Sequence, residues 1–79
     1  MDRIRLGFVG CGFNGQIGFI QNFYKNKNCQ ISGIAEARTQ LLKKVSSKYK
    51  VKNQYSSHIH LIKNINKFDA IVIIAKREM

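Results

Sequence analysis

Gly10, Cys11, Gly12, Phe13, Asn14 and Gly15 spell G-x-G-x-x-G, and Glu36 follows the last of these glycines by 21 positions. Three places without a Cβ permit a specific arrangement. The first allows a tight turn, the second lets backbone approach a pyrophosphate, and the third lets a helix pack close against the strand before it. The start of that helix points unsatisfied N–H groups and the positive end of its dipole at an anion, so no lysine is needed there. Phe13 and Asn14 contribute through their backbones. A carboxylate about 20 residues on, at the end of the next strand, is placed to accept hydrogen bonds from an adenosine ribose. An acid in that place repels a 2′-phosphate, which favours NAD over NADP, while Arg38 could pair with the phosphate and blunt the preference. Arg38 could also stack on adenine, pair with Glu36, or face water.

The other residues able to do chemistry are less well arranged. His58 and His60 stand at i, i+2 and turn to different faces of a helix, unlike an i, i+4 metal pair, so they are expected to be structural or surface residues. Cys11 and Cys29 lack metal-ligand spacing, and no histidine is near Cys11 in sequence. Cys11 is therefore expected to fill the space between two tight-turn glycines and not to act as a nucleophile. No catalytic residue and no metal site is expected within the chain. A Walker A loop would end in Gly-Lys-Ser/Thr, yet no lysine lies between Gly10 and Gln21. Methyltransferases that use S-adenosylmethionine typically place an acid and a further glycine where this chain has Phe8 and Asn14.

These residues need elements to hold them. Ile4 to Val9 is a short apolar run that ends in glycines, which predicts a strand buried on both sides. Phe13, Ile17, Ile20 and Tyr24 then recur at helical spacing, with Phe23 beside them. Gln30 to Ala35 predicts a second strand, and Thr39 is placed to cap a helix with Leu41, Leu42, Val45 and Tyr49 on one face. A third strand is expected around Gln54 and Tyr55, then a cap at Ser56 or Ser57 and a short helix whose core residues are Ile59, Ile62 and Ile65. Asp69 to Ala75 reads as a strand without alternation, as at the centre of a parallel sheet covered by helices. Strands and helices alternate throughout, which predicts a parallel α/β sheet with right-handed crossovers.

The chain has 79 residues, enough for one small domain with little stability to spare. Its 14 basic and 4 acidic side chains give a net charge of +10, which raises a polyanion partner. The basic residues are nevertheless spread along the chain, and their densest run, Lys43, Lys44, Lys48, Lys50 and Lys52, falls on and just after one helix as a solvated face. No aromatics interleave with lysines as base stacking would need, so no nucleic-acid partner is expected. The longest apolar run, Ala70 to Ala75, is too short to span a bilayer, so neither secretion nor a membrane partner is expected and the setting is taken as cytoplasmic.

With the first strand, the glycine motif, Glu36 after Ile31-Ser32-Gly33-Ile34, and Asp69 to Ala75 in this order, the chain resembles the N-terminal domain of the Gfo/Idh/MocA oxidoreductases over essentially its whole length. The resemblance implies NAD(P)-linked hydride transfer, often on sugars or cyclitols. It places Gly10, Gly12, Phe13, Asn14 and Gly15 at the pyrophosphate, Glu36 at the adenosine ribose with Arg38 close by, and Ile74 and Ala75 beside the nucleotide. Departures begin after Ala75. Members usually continue with a Thr-Pro type loop and a histidine, whereas this sequence reads Lys76, Arg77, Glu78, Met79. The family's catalytic lysine and its substrate domain lie beyond residue 79. The expectation is thus a Rossmann-like half-domain over residues 1–79, strand order 3-2-1-4, cut off before the substrate domain and unable to turn over substrate alone. Its last strand would expose an apolar edge, open to the missing C-terminal domain or to a second copy. Two rival readings are a nucleotide-sensing module that recruits a partner to that edge, and a basic nucleic-acid-binding protein.

Overall fold

The computed structural model describes residues 3–11 and 20–74. Its elements are β1 (Ile4–Val9), α1 (Gln21–Lys25), β2 (Cys29–Ala35), α2 (Thr39–Lys48), β3 (Asn53–Tyr55), α3 (His58–Lys63), a 3-10 turn (Ile65–Lys67) and β4 (Ala70–Ile73). All strand pairs are parallel, as the alternation of elements predicts, and the sheet order is β3-β2-β1-β4, as expected of a Rossmann-like half-domain.

β1 sits between two strands, and Leu6, Gly7 and Phe8 are buried, which accounts for the apolar run from Leu6 on, while Ile4 and Arg5 before it are exposed. Opposite it, β2 carries one extra residue. Leu6 pairs with Ile31 and Gly7 with Gly33, so Ser32 bulges out of register. The bulge puts Ile31 and Ile34, three apart, into one cluster with Leu6 and Phe8. Ile20 beside α1 and Leu42 and Val45 of α2 complete that cluster on one face of the sheet. The lysines fall on the other side of α2: Lys43, Lys44 and Lys48 are exposed.

The second face is built around glycines. Gly7 and Gly33 are partners in the register, and Phe68 lies across them. A Cβ on Gly33 would stand 2.6 Å from the Phe68 ring, and one on Gly7 would stand 3.2 Å from it. Leu61 of α3 and Ala35 join Phe68 in a smaller cluster, with Val9, Tyr55 and Ile71 packed against it. Helices thus cover both faces, in the three-layer arrangement of α/β folds.

Four expectations need correction. Ile59, Ile62 and Ile65 are not the core of α3: they are 54%, 52% and 49% exposed, while Leu61 is fully buried. The ring of Phe68 fits the glycine floor, and Leu61 is enclosed beside it in the cluster with Ala35. Thr39 is the first residue of α2 and not its cap; Arg38 takes the cap position, with no side-chain capping bond. β2 begins at Cys29, and β4 spans only Ala70–Ile73. Among the described residues β4 lies at the rim of the sheet rather than its centre, with Ile73 72% exposed. That rim is the open apolar edge that strand order 3-2-1-4 implies. Ser57 does cap α3, its side chain accepting from His60 N–H at 3.4 Å.

Asp69 does not belong to β4 but clamps its entrance. Its carboxylate accepts Arg5 N–H at 2.8 Å and both Nε and Nη2 of the Arg5 guanidinium, while Asp69 N–H donates to Arg5 O at 2.7 Å. The paired guanidinium holds the Asp69 carboxyl below its ordinary range.

Candidate nucleotide-binding site

Parallel strands bring every loop that follows a strand to the same edge of the sheet. Three backbone bonds carry the ladder past the strand ends there: Gly10 N–H donates to Ala35 O at 2.8 Å, Glu36 N–H to Tyr55 O at 2.9 Å, and Ile74 N–H to Val9 O at 2.9 Å. Gly10, Glu36 and Ile74 are thereby fixed side by side. Gly10 has φ +90°, and a Cβ on it would lie 2.7 Å from Ile74 O, so this turn admits only glycine.

Glu36 is 8% exposed, so its carboxylate is enclosed at the end of β2 and is not a solvated group of the connection to α2. Its Oε1 accepts from Cys11 N–H at 3.2 Å and from Arg38 Nη2 at 3.2 Å. Its Oε2 accepts from Arg38 N–H at 3.0 Å and from Arg38 Nε at 2.9 Å. The guanidinium beside it outweighs burial and holds the carboxyl at about 2, so Glu36 is an anion at neutral pH. Of the four places open to Arg38, the structure takes pairing with Glu36, while 65% of its side chain remains in water.

Cys11 is fully buried, its Sγ 3.8 Å from Glu36 Oε1. Burial and the neighbouring carboxylate push its thiol up to about 12, so it carries no thiolate to act as a nucleophile. Both Cys11 and Cys29 are free thiols.

A cleft of about 240 Å³ opens at this edge between Val9, Gly10, Ala35, Glu36, Ala37, Ser56, Ser57 and His58. It is smaller than the roughly 300–1,000 Å³ of whole-ligand pockets and suits one part of a dinucleotide. Ser56, Ser57 and His58 were not singled out from sequence as binding residues. The signal was available, since the loop after β3 must share an edge with the loops after β1 and β2. Gly12, Phe13, Asn14, Gly15 and Ala75 lie outside the described residues. A second hollow of about 250 Å³, lined by Arg3, Tyr24, Tyr49 and Lys50 among others, lies at the opposite ends of the strands. In parallel sheets ligands bind outside the carboxyl ends, which favours the cleft at Glu36 over this slightly larger hollow. Among the described residues no group of His, Cys, Asp or Glu could hold a metal, and no helix is long and apolar enough to cross a membrane.

No protein-family model and no curated protein matches the chain. Solved structures do. An oxidoreductase from Agrobacterium radiobacter, crystallised with NAD+, L-tartaric acid and magnesium, superposes with a TM-score of 0.84 at 20% identity over 94% of this chain. The fold is Rossmann-like. The scyllo-inositol dehydrogenase from Lactobacillus casei with NAD(H) and scyllo-inositol matches the Rossmann-like unit at TM-score 0.84 and 18% identity over 95% of it. A 3-ketoreductase from Actinomadura kijaniata with TDP-benzene and NADP matches at TM-score 0.80 and 16% identity over 94%. The Rossmann-like unit spans 21%, 22% and 23% of these three chains, respectively.

Proposed function

We propose that this chain is the nucleotide-binding part of an oxidoreductase of the Gfo/Idh/MocA type, which moves hydride between NAD or NADP and a sugar- or cyclitol-like substrate. The observation that carries this reading is Glu36: a buried, anionic carboxylate at the end of β2, beside a glycine turn that tolerates no Cβ. The ribose of the adenosine half bonds to Glu36 and its base rests on Val9 and Ala35, with Ser56, Ser57 and His58 opposite. The pyrophosphate lies against the backbone of Gly10, Gly12, Phe13, Asn14 and Gly15, and Ala75 borders the nucleotide beyond β4. When bound, the cofactor supplies the hydride acceptor or donor; this chain's residues bind and orient it. An acid in the ribose position favours NAD.

The similar structures support this reading, because those three proteins were crystallised with NAD+, NAD(H) or NADP. Each is more than four times as long as this chain, so hydride transfer and substrate choice are proposed for the whole protein and not for these residues alone. Two free thiols fit a cytoplasmic setting. Calorimetric titration of NAD into the protein and into Glu36→Ala tests the assignment. A roughly tenfold or greater loss of affinity is expected, and equal affinity would remove Glu36 from the site.

The rim of the sheet favours a second reading of the same unit, as a module that takes a partner strand on β4. Ile73 is 72% exposed there, and a net charge of +10 opposes a second copy and favours an acidic partner chain. A dimer of this protein at low salt in light scattering would sink that version.

A further inference from the structure

The lone pairs of Glu36 are fully used within the chain. A carboxylate offers about four acceptor sites, and four N–H groups are directed at these two oxygens: those of Cys11 N and Arg38 Nη2 at Oε1, and those of Arg38 N and Nε at Oε2. Two of these donors are backbone groups, fixed by the exit of β1 and by the turn into α2. The other two belong to one side chain that stands 65% in water. A ribose hydroxyl that reaches Glu36 must therefore displace a donor. The Cys11 thiol also donates to Oε1, at 3.8 Å, but it is fully buried, so the Arg38 side chain is the donor that can leave into water without moving backbone.

We propose that Arg38 competes with the nucleotide for Glu36: its guanidinium occupies the oxygens that the 2′-hydroxyl of the adenosine ribose needs, and binding exchanges one for the other. This rests on the assignment of the ribose to Glu36 above and adds a sign that the assignment alone does not contain. If Arg38 stacked on adenine or held the nucleotide directly, its removal would weaken binding. As a competitor, its removal strengthens the bond between Glu36 and the 2′-hydroxyl. Ion pairs with one partner in water are weak, so the gain is about three- to fivefold in the contribution of that hydroxyl.

The test is calorimetric titration of NAD, and of NAD lacking the 2′-hydroxyl on its adenosine ribose, into the full-length protein, Arg38→Gln and Glu36→Gln. Loss of the arginine charge weakens both ligands alike through its field, so the ratio of the two affinities isolates the hydroxyl. Wild type should prefer NAD over the deoxy ligand, Arg38→Gln should enlarge that preference about three- to fivefold, and Glu36→Gln, which keeps an acceptor but loses the charge, should reduce it. A preference reduced by Glu36→Gln but unchanged or reduced by Arg38→Gln overturns the competition and leaves the ribose assignment standing. No preference in either wild type or Arg38→Gln overturns both. Most of the Arg38 side chain lies in water, and a thermal melt of each variant establishes that it is folded before titration.

Discussion

Protonating Glu36 should loosen the protein in a defined pH window. The carboxyl is held at about 2 in the folded chain, mainly by the Arg38 side chain, against about 4.3 for an unfolded glutamate. A depressed folded value means that the stabilisation is fully present above the unfolded value and is lost as pH falls through the folded one. The window therefore runs from about pH 5 down to about pH 2. Taken at face value the shift corresponds to about 3 kcal/mol, but most of Arg38 is in water, and screening reduces this to about 1 to 2 kcal/mol. Urea unfolding of wild type and Glu36→Gln between pH 2.5 and 7 isolates it, because Asp69, whose carboxyl is also held low, titrates in both proteins. The two curves should lie about 1 to 2 kcal/mol apart at pH 7 and converge on acidification. A constant gap, or one that widens at low pH, would refute the account of Glu36 as a buried anion held by Arg38.

Gly33→Ala should cost about 2 kcal/mol, because its Cβ meets the Phe68 ring at 2.6 Å, and adding Phe68→Leu should recover part of that loss; two simply additive losses in thermal melts would count against the glycine floor. Lys50 has φ +56° just after α2, so Lys50→Gly should stabilise the chain by about 0.5 to 1 kcal/mol, and a loss of stability would contradict that cap geometry. Leu61→Ala should destabilise by about 2 to 4 kcal/mol and Ile62→Ala by less than about 1, since only Leu61 is enclosed. The reverse order in urea melts would restore the face that periodicity suggests.

Where the sequence is informative, it is because one local cause dominates. β4 is an unbroken apolar run and β1 and β2 are nearly so, and Gly10 must turn the chain after β1, so the strands and the position of the turn could be read before any contact was known, while the strand order followed from the resemblance to a Rossmann-like half-domain. The face of α3 could not. Ile59, Ile62 and Ile65 recur at nearly helical spacing, and only the glycine floor made by Gly7 and Gly33 explains why Leu61 and Phe68 are enclosed in their place. The position of Glu36 follows from its distance to the glycines, whereas its burial depends on Cys11, 25 residues away, donating to it. Arg38 had four physically reasonable places, and only coordinates choose among them. Asp69 looks like part of a strand because its neighbours are apolar; its use as a clamp depends on Arg5, 64 residues away.

The central claim is that a dinucleotide binds at the carboxyl ends of the strands with its adenosine at Glu36. Backbone amide resonances followed during titration with NAD test it most directly. The account predicts saturable shifts at Cys11, Glu36, Ser56, Ser57 and His58, with little change at Arg3, Gln30 and Lys50 at the other end of the sheet. Shifts confined to that opposite end, or none at millimolar NAD, would contradict it.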